Sequence, residues 1–211
     1  MQIRWLPFFV AGVVFVGALG STAAIAAGDP QAGEAQAPVC AACHGQDGAS
    51  GIDPSYPNLA GQNEKYLYNQ LTMIQNGDRA ILLMTGQLIG KNDQDLQDLA
   101  AYYASLPGEL GQASGDDASV QMAQAIYRGG ILKKGVAACS ACHSPNGNGN
   151  SAAGFPVLTG QPKVYTIAQL TAYREGERRS DESFGGMMRG VTGTLTDGEI
   201  AALADYLQGL H

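Results

Sequence analysis

The sequence predicts an all-α protein built from two tandem helical domains related by pseudo-twofold symmetry. Three observations carry that prediction: the chain repeats itself at a fixed offset, each copy closes on a stretch with helical periodicity, and strand-like alternation is weak throughout.

The N-terminal segment lies outside that fold. Arg4 and Trp5 precede an apolar run from Leu6 to Leu19, and Ala24-Ile25-Ala26 supplies the small residues of a signal-peptidase site. Residues 1–26 are therefore expected to be an export signal, cleaved near Ala26. The apolar run is short for a bilayer span, and no later stretch reaches the ~20 apolar residues that a transmembrane helix needs. An uncleaved anchor is the alternative. About 185 residues remain, enough for one ordinary domain or two small ones.

The internal repeat decides for two. Cys40-Ala41-Ala42-Cys43-His44 recurs as Cys139-Ser140-Ala141-Cys142-His143, an offset of 99. The same offset carries Pro57-Asn58-Leu59-Ala60-Gly61-Gln62 onto Pro156-Val157-Leu158-Thr159-Gly160-Gln161, Tyr66 onto Tyr165, and Gln70-Leu71 onto Gln169-Leu170. Pairing then resumes at an offset of 104, where Leu99-Ala100-Ala101-Tyr102 falls on Leu203-Ala204-Asp205-Tyr206 and Met84 on Met188. The second copy thus carries five extra residues between Leu170 and Met188.

Within the first copy, Asp29-Pro30 reads as a helix N-cap followed by the first helical residue. Leu96, Leu99, Ala100 and Tyr103 fall at i, i+3, i+4 and i+7 and predict a closing amphipathic helix. The stretch from Pro107 to Asp117 is rich in Gly, Pro and polar residues and reads as a linker. The domains are accordingly drawn as 27–112 and 113–211. In the second copy Val120, Ala123 and Tyr127 share one helical face, and Ile200, Leu203, Ala204 and Leu207 repeat the closing pattern behind a Thr196/Glu199 capping box.

Each C-x-x-C pair is followed at once by a histidine, and C-x-x-C-H is the attachment signature of haem c. Residues at i, i+3 and i+4 of a helical turn share a face, so two thiols can bond one haem edge while the imidazole points at the iron. A disulfide or a thioredoxin-like couple leaves both histidines unexplained, and zinc would need four ligands per site. The cofactors expected are two covalently bound haem c groups, on Cys40 and Cys43 in the first domain and on Cys139 and Cys142 in the second. Only 7% of the chain is aromatic, a thin supply for two cores that buried macrocycles would supplement.

His44 and His143 are the expected proximal iron ligands. The third histidine, His211, cannot serve two irons, so the sixth positions fall to methionine. Met84 and Met188 are the pair that correspond between copies; Met187, aligned with Leu83, is the competitor at the second site. A ligating imidazole needs its other N–H held by an acceptor. Pro57 and Pro156 resemble the proline whose carbonyl does this in class I cytochromes c, the alternative being a plain turn role.

The mature chain resembles the dihaem cytochrome c4 family on these motifs, on Arg128-Gly129-Gly130 and Met188-Arg189-Gly190-Val191, and on its ending at Gln208-Gly209-Leu210-His211. The resemblance implies two cytochrome c-like domains with haem edges facing each other across a pseudo-twofold axis, and Cys40, Cys43, His44, Met84 and Cys139, Cys142, His143, Met188 as the two ligand sets. One departure is the stretch from Asn76 to Leu83, shorter than is usual there. The function implied is periplasmic electron transfer from a quinol-oxidising complex to a terminal oxidase. The alternative is the electron-accepting subunit of a dehydrogenase such as a flavocytochrome. An enzyme such as a peroxidase needs an open iron and is set aside. The partners expected are redox proteins met by a monomer, with peripheral membrane association left open.

Charge bears on those partners. The net formal charge of −7 speaks against nucleic acid. From Ala27 to Gln112 there are ten acidic and three basic residues, from Ala113 to His211 nine and eight, so the first domain carries almost all of the excess. Arg174, Arg178, Arg179 and Arg189 lie near Met188 in sequence and offer either propionate partners or a basic landing patch.

Overall fold

The computed structural model describes residues 28–211 together with Met1 and Gln2; the export-signal reading of residues 1–26 falls, from residue 3 on, outside the described residues. Ten α-helices and two 3-10 turns make up the described fold, and pairing of extended segments is limited to two isolated bridges, Ile131 with Val136 and Asn150 with Phe155. No helix among the described residues is long and apolar enough to cross a membrane.

The first domain opens with α1 (Pro30–Gln36), where the Asp29 carboxylate accepts from the Gln31 N–H and Pro30 occupies the first turn. It packs across the closing helix α5 (Asp93–Ser105) at a glycine: a Cβ on Gly33 would lie 2.1 Å from the Asp98 carbonyl oxygen. No larger residue permits so close a crossing. Between them run α2 (Pro38–His44), α3 (Glu64–Asn76) and the single turn α4 (Leu82–Thr85). Leu96, Leu99, Ala100 and Tyr103 of α5 are all buried, as their spacing predicts. Leu99, Ala100 and Tyr103 meet Leu67 of α3, while Leu96 joins Ile74 and Leu88 in a second small cluster. Asn92 and Asp95 cap α5 reciprocally, a pairing that the Ser/Thr-x-x-Glu form of the signal does not catch.

The second domain repeats the arrangement with α6 (Asp117–Gly129), α7 (Ser140–His143), α8 (Lys163–Arg174), α9 (Met187–Thr192) and α10 (Asp197–Gln208). Ala123 and Tyr127 of α6 are fully buried against Ile200, Leu203 and Leu207 of α10, whose Thr196/Glu199 capping box is present. The five extra residues are confined more tightly than the sequence allows. Arg79 N–H donates to Met73 O and Arg178 N–H to Ala172 O, both at 2.9 Å, so the 99-residue register holds as far as this arginine pair. The insertion therefore falls between Arg178 and Met188, where a 3-10 turn over Glu182–Phe184 leads into α9.

The segment between the domains is held along its length. Gln208 donates to Gln112 O at 3.0 Å. Asp205 of α10 accepts from Ser114 N at 3.1 Å, Ser114 Oγ at 2.7 Å and Gly115 N at 2.8 Å. The last residues of the expected linker belong to the second domain, because Asp116 is the N-cap of α6 and accepts from Ser119 N.

The two domains meet on the repeated motif itself. The Gln62 carboxamide accepts from Val157 N at 2.7 Å and donates to Val157 O at 2.9 Å; its repeat partner Gln161 does the same to Asn58, at 3.1 and 2.7 Å. Asn58 and Val157 are themselves repeat partners, so the exchange is isologous, as a twofold axis demands.

Candidate functional site

Each cysteine–histidine motif forms one helical turn. Cys40, Cys43 and His44 lie on α2, which stops at Gly45, where φ is +82°. In the second domain His143 N–H donates to Cys139 O at 2.9 Å and closes the same turn. No disulfide joins any of the four cysteines. Burial pushes the Cys139 thiol up to about 11 and raises Cys40 above its usual value. A reactive dithiol couple relies on a thiolate stabilised near neutral pH, the opposite of the condition at Cys40 and Cys139.

Both imidazoles are buried, His44 at 5% and His143 at 6% exposure. His44 Nδ1 lies 2.9 Å from Pro57 O and His143 Nδ1 3.0 Å from Pro156 O; a carbonyl only accepts, so Nδ1 carries the proton and donates. Burial lowers the pKa of both rings, against the opposing pull of the proline carbonyls, which keeps the imidazoles neutral. The result at each site is a fixed ring with Nε2 left as the lone-pair nitrogen. Tyr56 and its repeat partner Phe155 flank the two imidazoles, with ring centroids 6.0 and 6.2 Å away.

The methionines lie on separate elements. Met84 is on α4, partly buried against Ile74, Leu88 and Leu96. Met188 is half-buried at the start of α9, where its carbonyl accepts from Thr192 Oγ1 at 2.8 Å, whereas Met187 is 41% exposed.

The residues present fit a covalent haem. The four thiols are unbridged, and each imidazole is oriented with one nitrogen to spare. The Tyr103 hydroxyl is buried beside the Cys40 thiol in the first core.

The arginines near Met188 do not form a basic patch. Arg174 pairs with Glu175 and Asp197 at 2.9 and 2.7 Å, Arg179 with Glu182 at 3.3 Å, and Arg189 with Asp181 at 2.8 Å and with Glu182. Arg178 is buried at the domain interface. The landing-patch expectation fails because local carboxylates and the interface take up those charges. Sequence reasoning also missed a role for the Gly-Gln ends of the repeated motif, which clamp the domains together. The available signal was that both glutamines recur at the same place in the repeat.

The chain matches the cytochrome c family profile twice, over residues 30–107 and 133–211. It is 47% identical to cytochrome c4 of Stutzerimonas stutzeri over 195 residues, covering 88% of this chain and 91% of that one. The thiosulfate dehydrogenase electron acceptor of Thiomonas intermedia is 34% identical, over 94% of this chain and 89% of its own length. The structure of reduced recombinant cytochrome c4 from Pseudomonas stutzeri superposes with a TM-score of 0.83 at 46% identity, covering 88% of this chain and all of that one. Similarity of this extent, carried across both domains, makes the chain a member of the cytochrome c4 family, an electron carrier that holds two covalent haem c groups.

Proposed function

We propose that this cytochrome carries single electrons outside the cytoplasm, from a quinol-oxidising complex to a terminal oxidase. Cys40 and Cys43 tether one haem, Cys139 and Cys142 the other. A haem held at each turn supplies a one-electron couple at iron. The polypeptide does the rest. His44 and His143 would offer Nε2 to the iron, and the Pro57 and Pro156 carbonyls, 2.9 and 3.0 Å from Nδ1, fix ring and tautomer. Met84 and Met188 would supply the remaining ligands, a thioether set that would favour the reduced state over ligand chemistry.

The observation that carries this reading is the duplication of the fixed imidazole in two domains clamped face to face by Gln62 and Gln161. Two one-electron centres in one chain suit a shuttle between large complexes. Rapid mixing of the reduced protein with a terminal oxidase, and of the oxidised protein with a quinol-oxidising complex, tests it. Turnover-competent rates in both directions are expected; failure with either complex refutes the route.

A second reading rests on the 34% identity to a thiosulfate dehydrogenase electron acceptor across nearly the whole chain. In it the electron donor is a periplasmic dehydrogenase, the class to which a flavocytochrome also belongs. Reduction by such an enzyme, without reduction by the quinol-oxidising complex, would select it.

A further inference from the structure

The segment that carries Met84 has two faces. Ile81 and Met84 pack inward on Ile74, Leu88 and Leu96. Leu82, Leu83 and Ile89 stand on the outside, at 92%, 67% and 80% exposure. Hydrogen bonds fix the frame that displays them: Met84 N–H donates to Ile81 O at 2.9 Å and Gln87 N–H to Met84 O at 3.0 Å, while the Gln75 carboxamide donates to Leu88 O and Lys91 O at 3.1 and 2.8 Å. A Cβ on Gly86 or Gly90 would meet nothing within 4 Å, so the outer side is open among the described residues.

Exposed aliphatics scattered singly need no explanation, but three within eight residues do. The internal repeat supplies the comparison. At the 104-residue offset Leu82, Leu83 and Ile89 fall on Gly186, Met187 and Gly193, and the second domain still forms its helix there. The three aliphatics are therefore not what makes the turn fold. The most exposed aliphatic of the second domain, Leu132, stands instead beside Lys133 and Lys134.

The surroundings of the patch are anionic. Asp78 and Asp93 are exposed on either side of it in the chain and accept hydrogen bonds from the neutral Asn76, Tyr68 and Gln97. Neither carboxylate enters an ion pair among the described residues. The three cations of the first domain are committed elsewhere: Lys65 to Ala152 O at 2.9 Å, Arg79 to Tyr165 and Gln169 of the other domain, and Lys91 to Gln36 Oε1 at 2.8 Å. An apolar centre among unpaired carboxylates complements a surface that is apolar within a ring of Lys and Arg.

We propose that Leu82, Leu83 and Ile89 form the docking face of this cytochrome for a redox protein whose contact surface is apolar at its centre and cationic at its rim. The proposal rests on the electron-carrier reading above and assigns the contact to the first domain.

Stopped-flow mixing of the ferrous holoprotein with excess ferric, lysine-rich monohaem cytochrome c tests it, each ferrous haem giving one electron to a ferric probe. Leu82→Ser/Ile89→Ser should lower the second-order rate constant about tenfold. Two haems per chain and unchanged midpoints are expected, and the loss should persist at high ionic strength, because apolar contact is not screened. Leu132→Ser should exchange at the wild-type rate. With an acidic monohaem cytochrome as the second probe, added salt should speed exchange, whereas it should slow exchange with the lysine-rich one. A double variant as fast as wild type, or a Leu132→Ser variant that is equally slow, overturns the docking face. So do shifted midpoints in the double variant, which would mean that these residues act on the haem. Salt slopes of the same sign overturn the cationic rim. Vesicles of phosphatidylglycerol and phosphatidylcholine should not sediment the holoprotein; binding that the double variant loses would transfer the face to a membrane. If the probe results hold while neither the quinol-oxidising complex nor the oxidase exchanges electrons, the route fails and the docking face stands.

Discussion

The residues that carry the chemistry fall into two kinds, those that touch the cofactor and those that hold them in place. Met84 and Met188 are proposed for the first kind by their shared place in the repeat, with Met187, 41% exposed, as the competitor at the second site. Met84→Ala and Met188→Ala should each remove about half of the sulfur–iron(III) absorbance at the red end of the visible spectrum. Met187→Ala should leave it intact, and the reverse outcome would reassign the second ligand. Asp205, by contrast, secures the segment between the domains. Burial pushes its pKa up, but Lys163 at 2.9 Å, Ser114 and Gly115 outweigh that, so the carboxyl titrates well below the usual range. A folded-state pKa below the unfolded one stabilises at high pH and loses that contribution as pH falls below about 4. Asp205→Asn should cost about 1–3 kcal/mol near neutrality. In urea melts, its deficit relative to wild type should shrink as pH drops through that range.

Among the elements, the closing helices were the most legible. Leu96, Leu99, Ala100 and Tyr103 are buried as spaced, and so are Ile200, Leu203, Ala204 and Leu207, because a stripe at 3.6-residue period can hide only on one side. The Thr196/Glu199 box was readable for the same local reason. Thr196→Ala should cost about 1 kcal/mol, read as a lower thermal midpoint with unchanged haem absorbance. The crossing of α1 on α5 was not legible, because the value of Gly33 depends on a carbonyl 65 positions away. A methyl group there meets rigid backbone, so Gly33→Ala should destabilise by about 1–3 kcal/mol. If the melt is unchanged, the helices do not cross as closely as described.

For the whole molecule, the uneven charge of the two domains is the property that a partner meets first. With the arginines of the second domain engaged by their own carboxylates or by the interface, the excess negative charge of the first domain dominates the long-range field. The double variant Glu64→Gln/Asp78→Asn should slow association with a cationic acceptor more than Asp117→Asn/Glu177→Gln does. Stopped-flow rates across a salt series should show the difference vanish at high ionic strength, where the Debye length falls to about 3 Å. Equal effects at low salt would mean that the acceptor does not choose between domains. The sequence by itself determined the repeat, the helical class, the two haem turns and the candidate ligands, because each is written in local spacing or in self-similarity. Only the tertiary structure decided how the halves meet. Gln62 clamps Val157, Gln161 clamps Asn58, and Arg79 and Arg178 leave the surface for a shared interface. Those pairings join residues roughly a hundred positions apart, and no local pattern distinguishes a buried arginine from a solvated one until both domains are in place.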